Sequence, residues 1–199
     1  MTSALLPVAD GVEEMEAVVA VDMLRRAGWR VTMAGLTAGP VTAARGVRLI
    51  PDATLDEQTA AKDFDVLLIS GGSKGVANLR ADARVIKLVR AFAAADKWIG
   101  AVCAGPLVLQ DAGILKGRHA TCHPGVAEEL TDPRRTAGPV VVDGRIVTSQ
   151  GPGTMPAYIL TLIRLVSGAA IARDVAEGMV LDPSQPGRTA PLQGSMDDA

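Results

Sequence analysis

The sequence of 199 residues lacks several features on which common classes of protein depend. Two cysteines are too few for a disulfide framework, and without a secretory pattern at the start they favour a reducing, cytoplasmic location. The formal net charge is −2 and no long run of like charge occurs, which is atypical of nucleic-acid-binding proteins. No apolar run approaches the roughly 18 residues that span a bilayer. We therefore expect neither nucleic acid nor a membrane as a partner.

Aromatic residues are also scarce, at 3%, although 48% of the residues are hydrophobic. The core must therefore consist of Val, Leu, Ile and Ala, which suits parallel strands covered by helices on both faces. Strand-like and helix-like segments alternate, which predicts an open, mostly parallel α/β sandwich. The predicted strands are residues 3–9, 30–36, 65–70 and 98–102, and the predicted helices are residues 13–27, 82–95, 104–112, 154–166 and 171–179.

Two shorter segments and one proline complicate this pattern. Residues 41–50 and 140–149 are predicted as short β excursions, and the second contains the Asp143-Gly144 pair that favours a tight hairpin turn. Pro7 conflicts with its position in a central strand, because proline has no N–H for the ladder. Either the first strand is irregular there, or the N–H at this position would be unpaired in any case.

The end of the chain differs in composition from the rest. From residue 182 onward, Pro, Ser, Gln, Gly and Asp dominate and no hydrophobic periodicity remains, which is typical of a disordered segment. The length fits one domain that can bury a sizeable core. We predict a single domain over residues 1–181 and a disordered tail over residues 182–199.

The segment around Cys103 is the strongest candidate for chemistry. An apolar strand ends at this thiol, and Ala104, Gly105 and Pro106 then begin a helix, since proline is favoured in the first helical turn. Such an elbow presents a side chain at the end of a sheet, as nucleophile elbows present serine. A helix N-terminus beneath the sulfur would favour the thiolate. The alternative is a buried cysteine that acts as a small hydrophobic residue.

Other polar groups follow two further strand ends. Sites in open α/β sheets lie outside the carboxyl ends of the strands, so residues 10–16 and 71–75 are expected beside Cys103. Glu13, Glu14 and Glu16 lie in the first turn of a helix, where acids are favoured in any case. A carboxyl that faces the thiolate would be partly desolvated and protonated, and could move a proton to and from a substrate. Glu16 is the best candidate for this role.

The Gly71-Gly72 pair gives the backbone amides freedom to point at a developing oxyanion, although it could equally be an ordinary turn. The spacing to Gly75 does not match a phosphate-binding loop.

In a short strand over residues 119–123, His119 and His123 would share one face, and His123 could approach Cys103 as an orienting group or, less favourably, as a catalytic partner. No second Cys/His cluster completes a zinc site, so we expect no metal.

Several motifs occur together and in order between about residue 4 and residue 181, and they resemble the DJ-1/PfpI family, most closely its DJ-1 (ThiJ/YajL-like) branch. The motifs are residues 11–16 (Gly-Val-Glu-Glu-Met-Glu), 22–28, Arg45, 51–53, Gly71-Gly72 with Asn78-Leu79, 101–106 (Ala-Val-Cys-Ala-Gly-Pro), His123-Pro124 and 149–154. The resemblance implies a flavodoxin-like three-layer α/β sandwich with a mostly parallel sheet. It also implies a homodimer and an oxidation-sensitive cysteine.

The resemblance further assigns roles to individual residues. Cys103 would be the nucleophile and Glu16 its protonated carboxyl partner. The Gly72 and Ala104 amides would form an oxyanion pocket, with Gly71 and His123 beside it. Arg45 would help to hold the thiol region, within the chain or across the dimer interface.

Three departures from the family pattern bear on this assignment. Ser70 stands where proline often precedes the two glycines, and Pro7 is unusual in the first strand. Ala104 stands where the protease-like branch has histidine, which argues against peptidase activity. An amidotransferase-like hydrolase would need an acid aligned behind His123, and no Asp or Glu follows it before Glu128.

The expected function is therefore a cofactor-independent conversion of 2-oxoaldehydes such as methylglyoxal to 2-hydroxy acids. The same chemistry on adducted side chains would be a deglycase activity. The alternative is a non-enzymatic sensor of oxidative stress, or a redox-regulated chaperone, in which Cys103 is oxidised to a sulfinate held by Glu16.

Overall fold

β-Strands and α-helices alternate along the chain in the computed structural model, which describes residues 1–56, 59 and 61–181. The strands are β1 (Ser3–Val8), β2 (Arg30–Gly35), β3 (Val41–Thr42), β4 (Arg48–Leu49), β5 (Ala53–Thr54), β6 (Val66–Ile69), β7 (Trp98–Val102), β8 (His119–Ala120), β9 (Arg134–Arg135), β10 (Val140–Asp143) and β11 (Ile146–Ser149). The helices are α1 (Glu14–Arg26), α2 (Ser73–Ala81), α3 (Ala83–Ala94), α4 (Pro106–Asp111), α5 (Met155–Ser167) and α6 (Ala169–Gly178). The predicted tail, residues 182–199, lies outside the described residues.

Seven strands form the main sheet in the order β10-β11-β7-β6-β1-β2-β5. All neighbours pair in parallel except β10 and β11, which form the antiparallel hairpin predicted around Asp143-Gly144. β7, β6 and β1 are adjacent, so the three strand ends that were expected to converge do lie at one edge of the sheet. The mostly parallel three-layer prediction is confirmed.

Helices cover both faces of this sheet. Successive side chains of a strand point to opposite faces, and the neighbouring Leu5 and Leu6 of β1 accordingly lie in two different hydrophobic clusters. The cluster with Leu6 includes residues of α1, α5 and α6, and the cluster with Leu5 includes residues of α2, α3 and α4. Among the described residues, no helix is long and apolar enough to cross a membrane.

Pro7 lies within β1 without interrupting it. The ladder to β2 continues through Pro7 to Val8, whereas the ladder to β6 pairs only Ala4 and Leu5. The Val8 carbonyl accepts from Leu36 at 3.0 Å, so alternation directs the Pro7 nitrogen towards the β6 side, beyond the last pair there. The second of the two predicted alternatives therefore holds, since an N–H at this position would have no ladder partner.

Two local expectations differ from the structure. Residues 73–81 form helix α2, which was not among the predicted helices. The predicted strand over residues 119–123 ends at Ala120, so His119 and His123 do not lie on one strand face. The excursion over residues 41–50 is confirmed as the antiparallel pair β3 and β4.

Candidate active site

Cys103 lies in the turn between β7 and α4 with a φ of 61°. A non-glycine residue in this left-handed region is strained, and such strain is typical of functional sites. Backbone hydrogen bonds hold the turn on both sides, because the Cys103 amide donates to Ser149 at 3.0 Å and its carbonyl accepts from His123 at 2.9 Å. The predicted elbow is present, and the Cys103 side chain is only partly buried.

The Gly71 backbone packs directly against the thiol and the Glu16 carboxyl. A Cβ atom at residue 71 would lie 2.5 Å from Cys103 Cβ, 2.8 Å from Cys103 Sγ and 2.9 Å from Glu16 Oε2. A side chain at this position would therefore occupy the space between the sulfur and the carboxyl. The acid and the thiol can meet here because residue 71, two positions after the end of β6, is a glycine.

Glu16 points inward from the first turn of α1 and is fully buried. Its Oε2 atom accepts a hydrogen bond of 2.6 Å from the Gly71 amide. Burial raises the pKa of Glu16 to about 7, with a further rise from the Glu13 charge, although the Gly71 amide opposes it. The carboxyl is thus protonated over much of the neutral range, as the sequence predicted. Glu13 instead caps the helix, since its Oε2 accepts from the Glu16 amide at 2.8 Å.

Opposing effects act on the pKa of the Cys103 thiol. Burial and the charge of an ionised Glu16 raise its pKa to about 12, and hydrogen bonds from the Gly72 and Ala104 amides offset part of this rise. The prediction of a lowered thiol pKa is therefore wrong, because desolvation and the charge of Glu16 outweigh the backbone amides. When Glu16 holds the proton, its charge is absent and its carboxyl can donate to the sulfur. Formation of the thiolate thus depends on the protonation of Glu16.

The two glycines after β6 have different functions. The Gly72 amide points at the sulfur together with the amide of Ala104, in the arrangement expected of an oxyanion pocket. The Gly71 amide is already engaged by Glu16, so it holds the carboxyl and does not point at a substrate oxygen as had been expected. Gly72 has a φ of 92°, and a Cβ there would lie 2.1 Å from the Gly11 carbonyl oxygen. Only glycine fits this close approach between the two loops.

His123 approaches the site through its backbone. Its amide donates to the Cys103 carbonyl at 2.9 Å, while its ring Nδ1 accepts from the Gly125 amide at 3.0 Å. The side chain is exposed, and within the described part of the chain no hydrogen bond joins the ring to the Cys103 sulfur. This geometry favours an orienting role over a catalytic Cys-His pair.

Arg45 lies at the tip of the β3–β4 hairpin with an exposed side chain. Its backbone amide donates to Glu14 Oε1 at 2.9 Å, and its guanidinium donates to the Ala44 carbonyl at 3.4 Å. Glu14 is buried, so this carboxylate fastens the hairpin to the start of α1. A role for the Arg45 side chain at the thiol, within the chain or across a dimer interface, stays a prediction.

One polar side chain near the site was not predicted from the sequence. Tyr158 is fully buried in α5; this burial, and after it the charge of Glu16, raise the pKa of its hydroxyl above the usual range. A lone tyrosine in an apolar helix is typical of a core residue. The only feature of the sequence that could have indicated its close approach to the sheet is Gly100, a glycine inside a buried strand.

Across residues 1–56, 59 and 61–181, no group of three His, Cys, Asp or Glu side chains could hold a metal.

Comparisons with known proteins agree with this geometry. The model of the DJ-1/PfpI family matches residues 2–165. Protein DJ-1 homolog B of Arabidopsis thaliana is 37% identical over 166 residues, which cover 82% of this chain but only 38% of that protein. The glutathione-independent glyoxalase DJR-1.2 of Caenorhabditis elegans is 36% identical over 166 residues, covering 82% of this chain and 87% of that protein.

A solved structure shows the same architecture. The crystal structure of Drosophila melanogaster DJ-1beta superposes with a TM-score of 0.86 at 36% identity, and covers 91% of this chain and 98% of that one. This similarity confirms the flavodoxin-like arrangement. With the match over residues 2–165, it establishes that the chain belongs to the DJ-1/PfpI family.

Proposed function

We propose that this protein converts 2-oxoaldehydes such as methylglyoxal to 2-hydroxy acids without a cofactor. The observation that carries the proposal is the contact of Cys103 and Glu16 around the Gly71 backbone, with the Gly72 and Ala104 amides directed at the sulfur. A nucleophile, a proton carrier with a pKa of about 7 and an oxyanion pocket meet at one point. The relative that is named a glutathione-independent glyoxalase supports the same conclusion.

The first step is addition of the thiol to the aldehyde. The Cys103 sulfur attacks the aldehyde carbon, and the C=O electron pair moves to the oxygen, which the Gly72 and Ala104 amides stabilise. Glu16 in its protonated form stabilises the thiolate before attack. The oxygen then takes the proton of Glu16, which gives a hemithioacetal and leaves Glu16 as a carboxylate.

The second step moves hydrogen between adjacent carbons. Glu16 as a carboxylate takes the proton from the former aldehyde carbon, which gives an enediolate. The hydroxyl proton of this carbon moves to the oxygen of the neighbouring carbon, and Glu16 returns its own proton to that neighbouring carbon. The first carbon is thereby oxidised to a thioester while the second is reduced to an alcohol. Water then cleaves the thioester, which releases the 2-hydroxy acid and regenerates the Cys103 thiol. No external oxidant or reductant is needed.

The test is lactate formation from methylglyoxal in the absence of glutathione. Wild-type protein is expected to form lactate, whereas Cys103→Ser and Glu16→Ala are expected to be inactive. Cys122→Ser is the matched control, since Cys122 is buried in the cluster with Leu5, whereas Cys103 packs against the cluster with Leu6. No turnover by the wild type would refute the proposal. Deglycation of adducted Cys, Arg or Lys side chains would use the same steps, and peptides carrying such adducts test it separately.

The partial exposure of Cys103 supports a second candidate, a sensor of oxidation. Cys122 is buried, so peroxide is expected to attack Cys103 first. A sulfinate at Cys103 would accept hydrogen bonds from the amides of Gly72 and Ala104 and from protonated Glu16. Rapid conversion of Cys103 to the sulfinate, together with no turnover of methylglyoxal, would favour this function over the enzyme.

We also propose that two copies of the chain form a homodimer. Four exposed apolar side chains support it: Met15 and Val18 of α1, Val47 of the β3–β4 turn and Ile50 after β4. The two elements are fastened together, because the Ala44 amide donates to the Val12 carbonyl at 2.8 Å. Exposed apolar side chains on joined elements are typical of an interface.

A further inference from the structure

Tyr158 carries a buried hydroxyl that the proposed chemistry does not use. It is the only tyrosine of the chain, and its side chain is 1% exposed within α5. The hydroxyl has no hydrogen-bond partner among the described residues. Because buried polar atoms are nearly always bonded to protein or to ordered water, this oxygen requires a partner that the protein side chains do not supply.

Gly100 makes room for this hydroxyl. A Cβ at residue 100 would lie 2.1 Å from the Tyr158 hydroxyl oxygen and 3.1 Å from its Cζ. A glycine inside a central strand usually marks such a close approach. The phenol end of Tyr158 therefore lies against β7, three residues before Cys103, and any larger residue at position 100 would displace it.

Glu16 supplies a second buried atom without a partner on the same face of the sheet. Its Oε2 atom is bonded to the Gly71 amide, but its Oε1 atom has no partner in the described part of the chain. Helices α1 and α5 pack against each other, both side chains are buried, and the Glu16 carboxyl is close enough for its charge to act on the Tyr158 hydroxyl. Burial, and after it the Glu16 charge, raise the pKa of Tyr158, so the phenol keeps its proton and acts as a donor toward a carboxylate.

We propose that Tyr158 is a positioning residue for Glu16, linked to the Oε1 atom of that carboxyl through internal water. Buried water bonds to polar atoms that are otherwise unsatisfied, and these two atoms provide a donor and an acceptor. The phenol donates to the water, and the water donates to Oε1. Both orphaned atoms are then satisfied without any movement of the backbone.

The consequence concerns which oxygen of Glu16 carries the proton. With Oε1 held as an acceptor by the water, the carboxyl proton lies on Oε2, because a hydroxyl oxygen can accept from the Gly71 amide and still donate to the Cys103 sulfur beside it. The proton that stabilises the thiolate therefore faces it. The other groups around Glu16 are Glu13 from α1, the thiol from the elbow and the Gly71 amide from the end of β6. The effect on turnover rests on the proposed function, whereas the hydrogen-bonded link does not.

The test compares Tyr158→Phe with Thr161→Val. The second variant removes a buried hydroxyl from the same helix, where it donates to the Ala157 carbonyl at 2.8 Å. The Glu16 pKa is measured by NMR on protein labelled with ¹³C at the glutamate carboxyl, with Glu16→Gln to assign the signal. Loss of a donor to the charged form is expected to raise this pKa by about half a unit or more in Tyr158→Phe. Thr161→Val is expected to leave it unchanged.

Two further measurements complete the test. The infrared C=O stretch of protonated Glu16 is expected at higher wavenumber in Tyr158→Phe, because the oxygen no longer accepts a hydrogen bond. In the wild type, the Tyr158 hydroxyl proton is expected to show an NMR cross-peak to water, which requires no variant. An unchanged Glu16 pKa with an unchanged stretch, or a wild-type hydroxyl without the cross-peak, would overturn the proposal. None of these measurements uses substrate, so a failure of the proposed function is seen separately in the lactate assay.

Discussion

The Gly71 amide donates a hydrogen bond of 2.6 Å to Glu16 Oε2, the carboxyl oxygen that faces the Cys103 sulfur. The Gly71 amide thus holds the Glu16 carboxyl beside the Cys103 thiol, which follows the neighbouring strand β7. The same hydrogen bond lowers the pKa of Glu16, while burial raises it by more, and the result is a value of about 7. A carboxyl with this pKa can both give and accept a proton near neutral pH.

Gly71→Ala is expected to separate the acid from the thiol without unfolding the protein. The added Cβ would lie 2.5 Å from Cys103 Cβ and 2.9 Å from Glu16 Oε2, so both side chains must move. Since displacement by about 1 Å can cost roughly 100-fold in rate, kcat/KM for methylglyoxal is expected to fall by about that factor. Gly178→Ala is the control, because a Cβ there meets no atom within 4 Å. Equal activity of the two variants would contradict the role given to Gly71.

The arrangement of strands and the elbow could be predicted from sequence, because both follow from local patterns. Apolar runs separated by helical periodicity set the alternation, and the carboxyl ends of parallel strands meet at one edge wherever the strands are neighbours. Cys103 could be singled out because Pro106 marks the start of a helix directly after an apolar strand. These signals involve a few consecutive residues, and the structure changes none of them.

Other features depend on contacts that no local pattern records. Helix α2 was missed because its N-cap, Gly72, and the Gly75 in its first turn are residues typical of a turn, and its buried side chains are few. The rise in the pKa of Cys103 could not be predicted, since it results from burial and from Glu16, which lies 87 positions earlier in the chain. The link between Tyr158 and Gly100 joins a helix to a strand across the core. The only feature of the sequence that indicates this contact is Gly100 itself, a glycine inside a buried strand.

Glu16→Gln is expected to change how stability depends on pH. The pKa of Glu16 rises from 4.5 to about 7 on folding, so between these values the native state holds one more proton than the unfolded chain. The contribution of this residue is therefore complete below pH 4.5 and is lost as the pH rises through about 7. The loss is about 3 kcal/mol at most. The uncharged Gln is expected to remove it.

Urea unfolding at about pH 5 and about pH 8 measures this difference. The wild type is expected to lose more unfolding free energy between the two conditions than Glu16→Gln does. Glu128→Gln is the control, because Glu128 is exposed and is expected to follow the wild type. Parallel behaviour of the wild type and Glu16→Gln would show that Glu16 is not protonated in the native state at pH 5.

His123→Ala is expected to reduce kcat/KM for methylglyoxal by less than about tenfold, whereas loss of a general base usually costs roughly 100-fold or more. The reason is that the His123 Nδ1 accepts from the Gly125 amide at 3.0 Å, so Glu16, and not His123, is the proposed proton carrier beside the thiol. His123→Asn keeps an acceptor for that amide and is expected to retain more activity than His123→Ala. A loss as large as that of Cys103→Ser would instead make His123 a catalytic partner.

Ile50→Glu is expected to convert the proposed dimer to a monomer. Ile50 is 79% exposed after β4, next to Val47, and the same hairpin is fastened to α1, where Met15 is 56% exposed. Burial of these apolar side chains against a second copy would be favourable, and a carboxylate at residue 50 would have to lose its hydration in the interface.

Sedimentation equilibrium measures the mass directly. Val180→Glu changes an apolar residue that is 90% exposed after α6, outside the hairpin and the first turn of α1, and is expected to leave the dimer intact. A wild-type protein that is monomeric at all concentrations, or a dimer that persists in Ile50→Glu, would refute this interface. Because Arg45 lies on the same hairpin, loss of activity on dissociation would show that its side chain supports the thiol of the partner.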